Sequence, residues 1–170
     1  MTEFILDIED VKGKLLEDET MKYPKKRINK PLGELLIERD VITAKELEDA
    51  LKEQTKAGGL IGEVIVSLGI AKEEDIAYAL SLQYGFPYLP LQNYDIPKEV
   101  LAAIPRKVAD QYCVIPIDKI GTTLTVAMAD PLNAQCIEQI EYMGKCEVQI
   151  FVSTASDIRE TITKFYGKDQ

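Results

Sequence analysis

Apolar residues recur along this chain with a helical rhythm, and the rhythm is written twice. Leu32-Gly33-Glu34-Leu35-Leu36-Ile37 leads to Leu47, Ala50-Leu51 and Gln54. About 29 residues later, Ile61-Gly62-Glu63-Val64-Ile65-Val66 leads to Ile76, Ala79-Leu80 and Gln83. Gly, Glu, Ala, Leu and Gln recur as identities, and the remaining apolar positions recur as Leu, Ile or Val. Each copy predicts a short helix, a tight turn and a longer helix. Gly69 stands where the short helix of the second copy must end in a left-handed turn, and Asp40 takes that place in the first. Thr43-Ala44-Lys45-Glu46 reads as a capping box opening the first long helix. Lys72 holds the matching position in the second copy, so no box is expected there. On this pattern Leu35, Leu36, Leu47, Leu51, Val64, Ile65, Ile76 and Leu80 form the core of a duplicated helical hairpin.

The rhythm changes on either side of the repeat. Residues 1–30 read as a tail, flexible or ordered by a partner. Val11, Leu15 and Leu16 could make a short amphipathic helix, and an acidic block, Glu17-Asp18-Glu19, precedes a basic one, Lys25-Lys26-Arg27. Gly58-Gly59 permits a sharp reversal between the copies. Gly85-Phe86-Pro87 stops the last repeat helix. From Asn93 onward Pro97 and Pro105 each open a short helix. Val114-Ile115-Pro116-Ile117, Leu124–Met128 and Val148–Val152 read as strands, with Pro116 pointing to an edge. Asp130-Pro131 reads as the start of a helix ending at Gly144, and Ser153 or Thr154 as the cap of a last one ending at Gly167. The expected class is α+β. A tandem-repeat helical subdomain over 31–92 packs on a small β-β-α-β-α subdomain over 93–170.

Composition narrows the chemistry. The 170 residues carry a net charge of −9, which argues against a nucleic-acid-binding surface. There is no histidine, so the commonest general base and metal ligand is missing. No G-x-x-x-x-G-K-[ST] string occurs, and no carboxylate spacing recommends an acid pair, so the chain is expected not to be an enzyme. Cys113, Cys136 and Cys146 have no Cys-x-x-Cys spacing and suit free structural thiols better than zinc or disulfides. The sequence contains no apolar run long enough to span a membrane and opens without a signal-peptide pattern, so a cytoplasmic location and no direct membrane insertion are expected.

Two pairs of repeat residues have more than one reading. Gly33 and Gly62 sit inside short helices, where glycine costs ~1 kcal/mol relative to alanine. Either another helix or a ligand comes close there. Gln54 and Gln83 either cap a turn or hydrogen-bond a base. Two related units would suit an extended ligand with two similar halves.

Leu-Gly-x-x-Leu followed by Leu-x-x-Ala-Leu-x-x-Gln, given twice, resembles the N-terminal domain of type II secretion and type IV pilus assembly ATPases, the MshEN domain. Gly85-Phe86-Pro87, Ile104-Pro105, Ile115-Pro116-Ile117 and Ala127-Met128-Ala129-Asp130-Pro131 extend the resemblance over about residues 31–167. It implies a non-catalytic docking or regulatory module that contacts inner-membrane platform proteins. The chain would then be peripheral to that membrane through its partner, with the ATPase core in the same or another chain. It also implies an alternative, since a subset of the family binds cyclic di-GMP, one guanylate half per repeat. Residues matching that subset are Gly33, Gln54, Gly62, Glu63, Gln83 and Asp130. In the subset each repeat begins Arg-Leu-Gly, whereas here Pro31 and Leu60 hold the arginine positions. A guanidinium supplies charge-assisted, bidentate bonds to phosphate that neither residue can replace.

Overall fold

The computed structural model describes residues 28–167 and divides between Gly85 and Phe86 into two compact units. The first is the repeat. Helices α1 (Leu32–Glu38) and α2 (Ala44–Ala57) form one copy, and α3 (Ile61–Ser67) and α4 (Glu73–Tyr84) the other. The turns inside the two copies are the same turn. In the first, the N–H of Val41 donates to Leu36 O (3.0 Å) and that of Asp40 to Ile37 O (3.0 Å). In the second, Ile70 donates to Ile65 O (3.1 Å) and Gly69 to Val66 O (3.0 Å). This double bond pattern needs a left-handed residue, and Asp40 and Gly69 adopt φ of 56° and 69°.

Helix starts follow the side chains available. Thr43 Oγ1 accepts from the Glu46 N–H, and the Glu46 carboxylate accepts from the Thr43 N–H at 2.7 Å, completing the box. The Thr43 N–H, and after it the Thr43 hydroxyl donating to the same carboxylate at 2.9 Å, hold the Glu46 carboxyl below its ordinary pKa. The second copy is better capped than expected. Asp75 accepts from the Lys72 N–H at 3.0 Å, which is half a box, because a lysine side chain has no acceptor to supply the other half.

The core of this unit is symmetric. Leu36 and Ile65, and Ala50 and Ala79, occupy matching positions and are fully buried, with Ile42, Val64 and Ile76 in the same cluster; Leu35 is buried as well. Leu47 and Leu80 are half-buried. Leu51 corrects the expected core list: it is 46% exposed. The inward face of α2 centres on Ala50, whose small side chain lets the helices close. The next residue, turned about 100° around the axis, therefore falls outside.

The second unit holds α5 (Lys98–Leu101), α6 (Arg106–Tyr112), β1 (Val114–Ile120), β2 (Thr123–Met128), α7 (Ala134–Gly144), β3 (Glu147–Val152) and α8 (Ala155–Tyr166). With eight helices and one three-stranded sheet among the described residues, the fold is α+β. The sheet order is β1-β2-β3. β1 pairs antiparallel with β2, and β2 runs parallel to β3 through the α7 crossover. Pro116 lies on the edge strand, as its missing N–H requires, and the register shifts between it and Asp118. β2, the central strand, is buried from Leu124 to Met128. Phe151, Ile158 and Ile162 cover it as part of one cluster with Ile104, Ile115 and Ile140.

Two expectations shift in this unit. The boundary falls at 85/86 rather than 92/93, because residues 86–92 join the sheet. Val152 N–H donates to Pro87 O (2.8 Å) and Leu89 N–H to Val152 O (2.9 Å), with a bridge between Tyr88 and Val152. Asp130 does not cap α7. Its carboxylate accepts from the Leu132 N–H at 3.0 Å and closes a turn of its own, and Asn133 caps the helix by accepting from the Cys136 N–H at 3.0 Å. Thr154, rather than Ser153, caps α8. The Tyr166 hydroxyl near the end of α8 is shared between Leu101 O (3.1 Å) and Ile104 O (2.8 Å). Burial, with Asp110 nearby, pushes that phenol up to about 12.

The expected helix at Val11, Leu15 and Leu16 lies outside the described residues. The last three residues of the expected tail are tied down, as the Ile28 N–H donates to Gln83 O at 3.1 Å. Leu36→Ala or Ile65→Ala should cost ~2–5 kcal/mol in chemical denaturation, while Leu51→Ala should cost under ~1 kcal/mol. Equal losses at Leu36 and Leu51 would contradict the assigned core.

Candidate functional site

Five of the six residues singled out from the sequence lie in the repeat unit, and their arrangement is reciprocal. Gln54, near the end of α2, donates through Nε2 to Gly59 O at 2.9 Å. Gln83, near the end of α4, donates through Nε2 to Lys30 O, also at 2.9 Å. Lys30 and Gly59 are themselves one repeat length apart, and each lies just ahead of a short helix, α1 or α3. Each copy's glutamine therefore fixes the chain entering the other copy's first helix. Helix pairing follows the same exchange: α1 packs on α4, and α2 packs on α3.

The glycines serve close approach inside each copy. A Cβ on Gly33 would come within 2.6 Å of Leu47 Cδ1, and one on Gly62 within 2.8 Å of Ile76 Cγ2. The space a side chain would need is filled by the long helix of the same copy. Glu63 is exposed in the first turn of α3. Asp130 is in the other unit, exposed, with its carboxylate in the turn to Leu132.

The two halves differ in side-chain chemistry. Lys30 pairs with Glu38, which raises the pKa of the lysine. The Arg39 guanidinium lies 4.6 Å from the centroid of the Tyr78 ring. Sequence reading missed this contact, which joins the end of α1 to α4. None of the three cysteines is in a disulfide. Cys136 is buried, and burial, with the Asp130 charge second, pushes its thiol up to about 11, so it is not a reactive thiolate. Among the described residues no group of three or more His, Cys, Asp or Glu could hold a metal ion.

The family model of the MshEN domain matches residues 84–170. The chain belongs to the MshEN domain family. The resemblance to the N-terminal domains of pilus and secretion ATPases holds across both units. This MshEN chain is 32% identical over 137 residues to the type IV pilus assembly ATPase PilB of Myxococcus xanthus, covering 81% of this chain and 24% of that protein. It is 31% identical over 104 residues to the bacteriophage adsorption protein B of Escherichia coli K12, covering 61% of this chain and 14% of that protein. The chain thus spans a quarter or less of these relatives. The solved structure of MshE with cdg (cyclic di-GMP) shares the fold, with a TM-score of 0.70 at 24% identity, covering 81% of this chain and 100% of that one.

Replacing either glutamine should loosen the exchange. Gln54→Ala and Gln83→Ala should each cost ~0.5–1.5 kcal/mol. Gln83→Ala keeps the main-chain carbonyl that accepts from the Ile28 N–H but frees Lys30 two residues on, so it should also speed hydrogen exchange at the Ile28 amide. Unchanged stability and unchanged exchange would show that the two side-chain bonds do not hold the copies.

Proposed function

We propose that this chain is a non-catalytic docking domain of a pilus assembly or secretion ATPase. Its partner is a platform protein of the inner membrane, which holds the chain at that membrane without inserting it. The observation that carries this reading is the 137-residue match to a pilus assembly ATPase by a chain that contains no phosphate-binding loop. No helix among the described residues is long and apolar enough to cross a membrane. The chain alone is expected to show no ATP hydrolysis. Co-purification with the cytoplasmic part of a platform protein from the same bacterium tests the docking. A stable complex is expected, and no association at tens of micromolar would contradict it.

The likeness to MshE with cdg favours a second reading, a receptor for cyclic di-GMP held by Gly33, Gln54, Gly62, Glu63, Gln83 and Asp130. Two features weigh against tight binding. Pro31 and Leu60 supply no guanidinium, and both glutamine amides already donate to main-chain carbonyls. Charge-assisted bonds are worth ~1.5–3 kcal/mol each, so calorimetric titration should show no binding tighter than ~10 µM. Pro31→Arg with Leu60→Arg should raise the affinity if the remaining matched residues receive the dinucleotide. Submicromolar binding by the natural chain, lost in Gln54→Ala or Gln83→Ala, would establish the receptor reading instead.

A further inference from the structure

The repeat supplies an internal comparison, because each surface position in one half has a counterpart in the other. Three leucines break the correspondence, while the fourth exposed large apolar side chain among the described residues of this unit, Ile28, precedes the repeat. Leu60, just before α3, is 69% exposed, and its counterpart is Pro31. Leu68, just after α3, is 46% exposed, and its counterpart is Arg39, which reaches Tyr78. Leu51 on α2 is 46% exposed, whereas its counterpart Leu80 is half-buried. The α1/α4 half is thus closed by a cation–ring contact and the Lys30–Glu38 ion pair. The α2/α3 half exposes Leu51 on α2 and, at the two ends of α3, Leu60 and Leu68. The other half has Pro31 and Arg39 where this one has Leu60 and Leu68, so the repeat fold does not require a leucine at those two places.

We propose that the α2/α3 face binds an amphipathic helical segment of a partner protein, apolar on one side and bordered by lysine or arginine. This rests on the docking reading and names its surface. Area and charge decide the occupant. The three leucines expose on the order of 300 Å², which suits one helix laid against the pair and falls short of the ~800 Å² per partner of a stable complex between globular surfaces. Residues 28–85 carry six lysines and arginines against eleven aspartates and glutamates, a net of −5. A second copy of this acidic surface would be repelled, and a basic-flanked helix attracted.

The test uses the full chain and two synthetic 18-residue helices with identical leucine positions, one filled out with lysine and one with glutamate. Fluorescence anisotropy should show the leucine/lysine helix binding at least tenfold more tightly than the leucine/glutamate helix. Leu60→Ser with Leu68→Ser, which leaves the charge unchanged, should weaken it at least tenfold. Leu68→Arg alone, which gives this position the residue its counterpart Arg39 has in the other half, should weaken it too with an unchanged thermal melt. Equal binding by both variants and the natural chain, or by both peptides, would overturn the proposal. So would a concentration-dependent dimer abolished by these substitutions, which would make the occupant a second copy. If a platform protein binds the natural chain and both variants equally, the surface is wrong and docking stands. If it binds none of them while the peptide still distinguishes them, the surface stands and the docking reading fails.

Discussion

The first unit depends on an exchange between its two copies. Neither copy is a self-contained hairpin. The short helix of each packs on the long helix of the other, and each glutamine side chain holds the chain entering the other's first helix. Within a copy the contact is made at glycine, where Leu47 or Ile76 fills the space a Cβ would occupy. Helices of 7 residues, as α1 and α3 are, do not persist alone in water, so they exist here because the exchange buries them. Gly33 and Gly62 lower helix propensity and raise packing density together. The pattern tolerates that trade because tertiary burial outweighs propensity.

Much of this was legible in the sequence, since repetition makes errors visible. A 3.6-residue rhythm, a left-handed stop and a capping box appear in one copy and can be checked in the other. Asp40 was readable as a left-handed residue only because Gly69 occupies the same place. Legibility failed where local chemistry has two outcomes. Asp130-Pro131 carries the composition of a helix start, but an aspartate that can accept from its own chain two residues on makes a turn instead. Leu51 has the identity and spacing of a core residue, and only the closeness of the helices at Ala50 decides which of two adjacent positions faces inward. Residues 86–92 contain two prolines and read as the end of the repeat subdomain, yet Pro87 and Val152 complete a strand contact that local sequence cannot announce. The candidate site was half legible. The importance of both glutamines was evident from their recurrence, but their acceptors are backbone carbonyls, which leave no mark on residue type.

Membership of the MshEN family gives this fold a setting, and the two halves of the repeat give it a direction. A duplicated unit begins with two equivalent faces. Here one is closed by Arg39, Tyr78 and the Lys30–Glu38 pair, and the other displays leucine. Loss of equivalence is expected where one face has taken on a partner and the other has been left to solvent. A symmetric dinucleotide would call for the opposite, two faces kept alike.

If the exchange governs the unit, the copies cannot open separately. Native-state hydrogen exchange across α1 to α4, followed at increasing denaturant, measures this directly. The slowest amides of both copies should converge on a single opening free energy with the same denaturant dependence. Protected α1 and α2 amides persisting while those of α3 and α4 exchange through a separate, lower-energy opening would contradict it.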